Sequence, residues 1–204
     1  MNLYIKALVS VPFVIFSISI FADNSANNFF DQQYFSANFT QTSQKDNDQR
    51  ASKGRLIVSR NGYFKLDYFE PFRETIASDS IDLYRYDPDL EQLEIHPLED
   101  LIQESPISLL SLSRLDLNKI MNLEECFELK DKVACEISFV NEDYFINNMH
   151  LVFKDKKLKE LTYEDSFLQT VSFSFKNQST DLLSKQDFLF EVPEETDVIS
   201  YKNN

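Results

Sequence analysis

GRLIVSRNGYFKLDY, residues 54–68, alternates as a strand does and then departs from its own rule. Leu56 and Val58 fall on one face of the pleat, and Arg60 follows two positions later on the same face. Either the strand has ended and Arg60 reaches water, or this face lines an enclosed apolar space in which one charge has a task. YFKLDYF then resumes the alternation, with Phe64, Leu66 and Tyr68 on one side.

Downstream, ETIAS, DLYRYD and EQLEIH continue as short alternating runs at intervals of about ten residues, a spacing that suggests an antiparallel sheet, sandwich or barrel rather than βαβ units. After a break come CFELK, VACEISFV, MHLVFK, LKELTYE and QTVSFSFK. The last sets Val171, Phe173 and Phe175 against Thr170, Ser172 and Ser174. The break itself, ESPISLLSLSRLDLNKIM, has Pro106 near its start and apolar Ile107, Leu110, Leu112 and Leu115, which predicts one or two short helices over an open end of the sheet. Upstream, Phe30 with Tyr34 and Phe35 with Phe39 predict a short amphipathic helix running into a strand. TSQKDNDQRASK, residues 42–53, reads as a solvated connection, and DFLFEVPEETDVI as a helix-free tail with a strand ending before Pro193.

Residues 1–22 have a different character. Lys6 precedes an uncharged apolar stretch from Ala7 to Phe21, and small Ala22 stands before Asp23, the layout of a cleavable secretory signal peptide. An uncleaved membrane anchor is the alternative, though the stretch is short of the ~20 residues of a spanning helix and is interrupted by Pro12. No cysteine lies near the expected cleavage point, so a lipid anchor is not expected. Residues 23–204 then form one domain. With Lys6 removed, the 20 basic residues fall to 19 against 34 acidic ones, a balance of −15 that repels nucleic acid and anionic lipid surfaces.

In an oxidising compartment Cys126 and Cys135 are candidates for a disulfide. A two-residue turn at Lys130-Asp131 sets them directly opposite each other. A three-residue turn, Lys130 to Lys132, gives a cleaner apolar face but points them to opposite sides. Their spacing is not that of a redox CxxC pair.

Catalysis needs converging polar groups, and few signs of them exist. His96 and His150 are far apart and lack neighbours at metal-ligand spacing, and no nucleophile elbow, phosphate loop or HExxH is present. Glu124-Glu125, Glu194-Glu195 and the Asp87/Asp89 pair read as solvated charge. No enzyme activity, cofactor or metal is expected. The 19 Phe residues, with no Trp and only two Gly, suit either a packed core or a greasy interior able to hold a guest.

With the strands laid out, the chain resembles the periplasmic outer-membrane lipoprotein carrier family, LolA, from about Phe35 to Ile199. FSANFTQT resembles the family's helix-to-first-strand junction, with Phe35, Phe39 and Gln41 in place. GRLIVSRNGYFKLDYFEP resembles its glycine, strand and arginine corner; ETIASDSIDLYRYDPDLEQLEI resembles its next hairpin; SPISLLSLSRLDL stands where the family has lid helices; and LTYEDSFLQTVSFSFKNQ and DFLFEVPEETDVI resemble its last strands. Asn61 replaces the family's proline, Lys65-Leu66 its Arg-Trp, and Ser80 a turn glycine, and the N-terminal helix is short.

The resemblance implies an incomplete, strongly curved antiparallel β-barrel, mainly β with some α, enclosing a hydrophobic cavity under short lid helices. It implies a monomeric periplasmic chaperone in lipoprotein transport and outer-membrane biogenesis. Its cargo would be acylated lipoproteins, released by an inner-membrane lipoprotein-releasing ABC complex and handed to the outer-membrane acceptor LolB. LolB shares the fold but carries a lipid-bearing N-terminal cysteine. The alternative is a protein of this fold that binds another lipid or acylated envelope ligand. Arg60 matches the family's inward arginine, a lid latch that hydrogen-bonds lid backbone in the empty, closed state. Leu56, Val58, Phe64, Leu66 and Tyr68 are the expected acyl-chain lining, with Ile107, Leu109 and Leu110 from the lid.

Overall fold

The computed structural model describes residues 24–98, 106–140, 146–165 and 167–202; the expected signal peptide, 1–22, lies outside them. A short helix, α1 (Ser25–Phe30), precedes the long hairpin β1 (Tyr34–Lys45) and β2 (Asp48–Ser59). The chain then forms β3 (Tyr63–Glu70), β4 (Glu74–Asp79), β5 (Asp82–Asp87) and β6 (Gln92–Pro97). A 3-10 turn (Pro106–Ser111) and helix α2 (Arg114–Ile120) interrupt the strands. The remaining strands are β7 (Met121–Leu129), β8 (Lys132–Phe139), β9 (Ile146–Lys154), β10 (Lys157–Asp165), β11 (Thr170–Ser179) and β12 (Asp197–Ser200).

All twelve described strands belong to one curved, unclosed sheet in the order β12-β6-β5-β4-β3-β2-β1-β11-β10-β9-β8-β7. The register shifts between Ser36 and Asn38, Lys53 and Gly54, Leu158 and Glu160, and Leu123 and Cys126. Such irregularities bend and twist a strand, which lets long strands wrap around a core. The inner face carries the core. Val171, Phe173 and Phe175 are buried on it, while Thr170 and Ser174 are exposed. Rings interlock across its middle, with Phe35 and Phe175 centroids 5.9 Å apart and Phe39 and Phe173 5.4 Å apart. The helix α1 packs on β9 and β10, and the 3-10 turn packs on β2 and β3.

Several expectations are corrected. Tyr34 and Phe35 belong to β1, not to a helix, because α1 has already ended at Phe30. Residues 42–53 are the far arms of the β1–β2 hairpin, turning at Asp46 with φ 52°; they read as a loop because both faces there are largely solvated. The apolar run around Phe188–Val192 forms no strand: Lys185–Phe188 is a 3-10 turn, and the strand lies beyond Pro193 as β12. That strand pairs with β6 in parallel, so the sheet is antiparallel except at this edge. Leu115, expected on an apolar lid face, is exposed, whereas Leu117 is buried.

The cysteines follow the two-residue turn. Leu129 pairs with Lys132 and Cys126 with Cys135, and the latter pair, 4.1 Å apart at Cα, is joined as a disulfide.

A lidded apolar face as the candidate functional site

Strand β2 ends at Ser59, one residue before Arg60, yet Arg60 turns inward and is only 6% exposed. Its backbone N–H donates to the Gln33 carbonyl at 3.0 Å, holding the corner against the start of β1. The guanidinium is then shared among three carbonyls. Nη1 donates to Leu110 in the 3-10 turn, Nη2 to Phe29 in α1 at 3.0 Å, and Nε to Gln32 at 3.1 Å. It also lies over the rings of Phe29 and Phe30, 4.8 and 5.2 Å from their centroids. Burial pushes its pKa down to about 10, so the side chain remains charged at neutral pH. A buried cation needs its donors satisfied, and here lid and helix backbone supply the acceptors.

The next residues of the corner hold the same lid. Gly62, with φ +89°, donates its N–H to the Ser111 carbonyl at 3.1 Å. Ser111 Oγ closes the turn by donating to the Ser108 carbonyl at 2.8 Å. Outside, Arg114 of α2 binds Asp31 at 2.6 Å and the side chain of Asn27, tying the second lid element to α1. Lid and N-terminal helix are thus fastened to each other and to the β2–β3 corner.

Beneath them, Leu56 faces Leu66 and Val58 faces Phe64 across the β2–β3 pair, all at 0% exposure. Ile107, Leu109 and Leu110 share their core cluster at 1–2% exposure. This part of the interior is filled by lid side chains. A hollow of about 300 Å³ opens instead at the end of the sheet bearing the Pro71-Phe72 turn, lined by Tyr68, Ile107, Ile76, Phe173, Tyr163 and Gln41 among others; another, of about 500 Å³, opens beside Phe29, Gln32 and Phe35. Of the expected lining, Tyr68 and Ile107 reach the mouth at the Pro71-Phe72 turn. Tyr68 donates to Gln41 Oε1 at 2.6 Å, and its ring meets Phe39 at 5.3 Å. The close passage of Phe39 depends on Gly54, where a Cβ would stand 2.5 Å from the ring and 2.1 Å from the Asp67 carbonyl.

Sequence reasoning does not reach the roles of Phe29, Gln32, Gly62, Arg114 and Tyr163. Only Tyr163 carries a visible signal, as a tyrosine in an inward position that phenylalanine would fill. The outer face of the sheet is covered too: Phe188 meets Tyr63 at 5.6 Å, and Lys65 Nζ donates to the Leu189 carbonyl at 3.1 Å. No cluster of three metal-ligating side chains exists among the described residues, and none of their helices is long and apolar enough to cross a membrane.

A curved sheet whose apolar inner face is closed by a short lid, with the lid held by one buried arginine, defines a lidded barrel of the kind that encloses apolar matter. Residues 31–191 match the family model described as outer membrane lipoprotein carrier protein LolA. The outer-membrane lipoprotein carrier protein of Neisseria meningitidis serogroup B is 32% identical over 177 residues, covering 83% of this chain and 82% of that protein. Its counterpart from Chromohalobacter salexigens is 30% identical over 168 residues, covering 81% and 80%. Among solved structures, a LolA superfamily protein from Nitrosomonas europaea aligns with a TM-score of 0.50 at 11% identity, over 82% of this chain and 95% of that one. An uncharacterized conserved protein from Thermus thermophilus gives 0.53 at 11% identity, over 86% and 99%. The chain belongs to the LolA family of outer-membrane lipoprotein carriers.

Proposed function

We propose that this protein is a periplasmic carrier that shelters the acyl chains of lipoproteins on their way to the outer membrane. It takes cargo from an inner-membrane lipoprotein-releasing ABC complex and delivers it to the acceptor LolB, acting as a monomer and without catalysis. Family membership supports the cargo class. The observation that carries the mechanism is Arg60, a buried cation whose bonds run to the carbonyls of the lid and α1. Leu56, Val58, Phe64 and Leu66 form the floor onto which those elements close.

The energetics fit such a design. Each methylene in water costs about 0.8 kcal/mol, so one ~16-carbon chain calls for more than ~10 kcal/mol of shelter. The closed lid satisfies the apolar floor without cargo. Acyl chains entering from the mouth replace lid contacts with their own and break the Arg60 bonds. Those bonds therefore oppose loading and favour release. An environment-sensitive fatty-acid probe should bind the protein and be displaced by lipoprotein. Recovery of diacylated or triacylated lipoprotein with the periplasmic protein supports the reading. Recovery of free lipid alone turns it toward another envelope ligand, and a protein that binds no probe overturns it.

A further inference from the structure

The mouth is not purely greasy. Tyr163 on β10 faces Val171 on β11 and borders the hollow beside Phe173, in a lining that also carries the polar side chains of Gln41, Ser52, Tyr68, Glu74 and Arg85. It is 7% exposed, and among the described residues no hydrogen bond reaches its hydroxyl. Its burial raises the phenol's pKa, so the group is a proton donor at any physiological pH. The neighbouring tyrosine is differently placed. Tyr68 spends its proton on Gln41 Oε1, and Gln41 Nε2 donates to Ser43 Oγ at 3.2 Å, which leaves the second amide hydrogen of Gln41 and the lone pairs of Tyr68 available. The mouth therefore offers the Tyr163 hydroxyl, one Gln41 amide hydrogen and a Tyr68 lone pair over an apolar floor, beside the Arg85–Glu74 ion pair and Ser52 that line the same hollow. That pattern suits a ligand with carbonyl acceptors joined to long hydrocarbon.

We propose that Tyr163, with the Tyr68–Gln41 pair beside it, is a subsite for the ester-linked glyceryl neck of diacylated cargo, its hydroxyl donating to an ester carbonyl oxygen. The proposal rests on the carrier reading and adds a polar register to it. Acyl chains lie under the lid, and the point where they join their glyceryl group is held at the mouth. A lining of Phe alone would accept any hydrocarbon to any depth, whereas a donor at the rim fixes where the chains stop. A donor left idle when an ester is replaced by an ether loses affinity, because the buried hydroxyl then has no partner.

The test compares 1,2-dioctanoylglycerol with its 1,2-dioctyl ether counterpart as competitors of a bound fluorescent fatty acid. The intact protein should prefer the diester by roughly tenfold, the worth of one buried hydrogen bond. In Tyr163→Phe the ester-to-ether ratio should collapse toward one. Gln41→Leu, which removes the second donor and the acceptor for Tyr68, should reduce the ratio in part. An intact protein that binds the fatty acid but does not discriminate ester from ether overturns the subsite alone, as does a Tyr163→Phe protein that keeps the wild-type ratio. An intact protein that binds none of the three overturns the carrier reading and the subsite together.

Discussion

The guanidinium of Arg60 donates to the Phe29 carbonyl at 3.0 Å and lies 4.8 Å over the ring of the same residue, so one side chain grips both the backbone and the face of the N-terminal helix. Its other bonds run to Gln32 and Leu110. Arg60→Leu leaves those carbonyls without a donor, at about 1–3 kcal/mol for each that water does not reach, and adds apolar floor. The expected result is at least tenfold tighter probe binding and slower transfer of cargo to purified acceptor, with the fold retained. Arg60→Lys keeps the charge but not the planar fork and should fall between the two. Burial lowers the guanidinium's pKa to about 10, so this group favours the closed form more only as pH climbs past about 10. Probe affinity should therefore be flat between pH values of about 6 and 8, as a titration by fluorescence will show.

Gly54 of β2 lies tight against the Phe39 ring of β1 and the Asp67 carbonyl of β3. A methyl group there collides with the Asp67 carbonyl at 2.1 Å, a backbone atom that cannot step aside. Gly54→Ala should cost about 1–3 kcal/mol in urea unfolding. The nearby exposed substitution Lys53→Ala should stay within roughly 0.5 kcal/mol of wild type.

The Cys126–Cys135 bridge spans 9 positions at the β7 edge. Chain-entropy arguments give a loop of this size about 2–3 kcal/mol. Replacing both cysteines with alanine should lower the melting temperature. A thiol reductant should bring the wild type down to the variant and leave the variant unchanged.

Asp79 sits at the β4–β5 turn. Partial burial raises its pKa, but this is outweighed by the backbone N–H groups of Asp82 and Ile81 and by the Tyr84 hydroxyl, which together hold the carboxyl below its usual 3.8. A depressed carboxylate contributes stability above its unfolded pKa and loses that contribution as pH falls through the folded value. Asp79→Asn should therefore melt below wild type at neutral pH, and the gap should narrow as the pH drops below 3.8. A gap that widens in acid contradicts this account.

The parts of the fold that alternate cleanly can be read from the sequence. Val171, Phe173 and Phe175 declare their face without help. The reading fails where its physical signal fades. At residues 42–53 the hairpin stands largely in solvent on both faces, so alternation has nothing to separate. At Phe188 and Phe190 the apolar residues cover the outer face of the sheet, where Phe190 stacks on Tyr86, so apolar pattern without strand pairing resembles a strand. The Arg60 corner is legible as an anomaly, and family resemblance adds the expectation of a latch there. Its acceptors are not legible, since Phe29, Gln32 and Leu110 meet only in three dimensions. Tyr163 and Gln41 sit more than a hundred positions apart, and no local pattern announces that they border one hollow.

The strand order places β1 beside β11, pairing Gln44 with Thr170 and Asn38 with Lys176, partners well over a hundred positions apart. Strands β1 to β6 can form by successive hairpins, and so can β7 to β11, but this central seam closes the longest loop in the molecule. Loop-closure entropy is spent before such contacts return anything, so the seam should form after the folding barrier is crossed. Phe175→Leu, which loosens the seam rings, should then speed unfolding while leaving the folding rate nearly unchanged. Ile76→Val, inside the β3–β4 ladder, should slow folding. Stopped-flow chevrons of the two variants will show whether the barrel arises as two hairpin ladders that meet late.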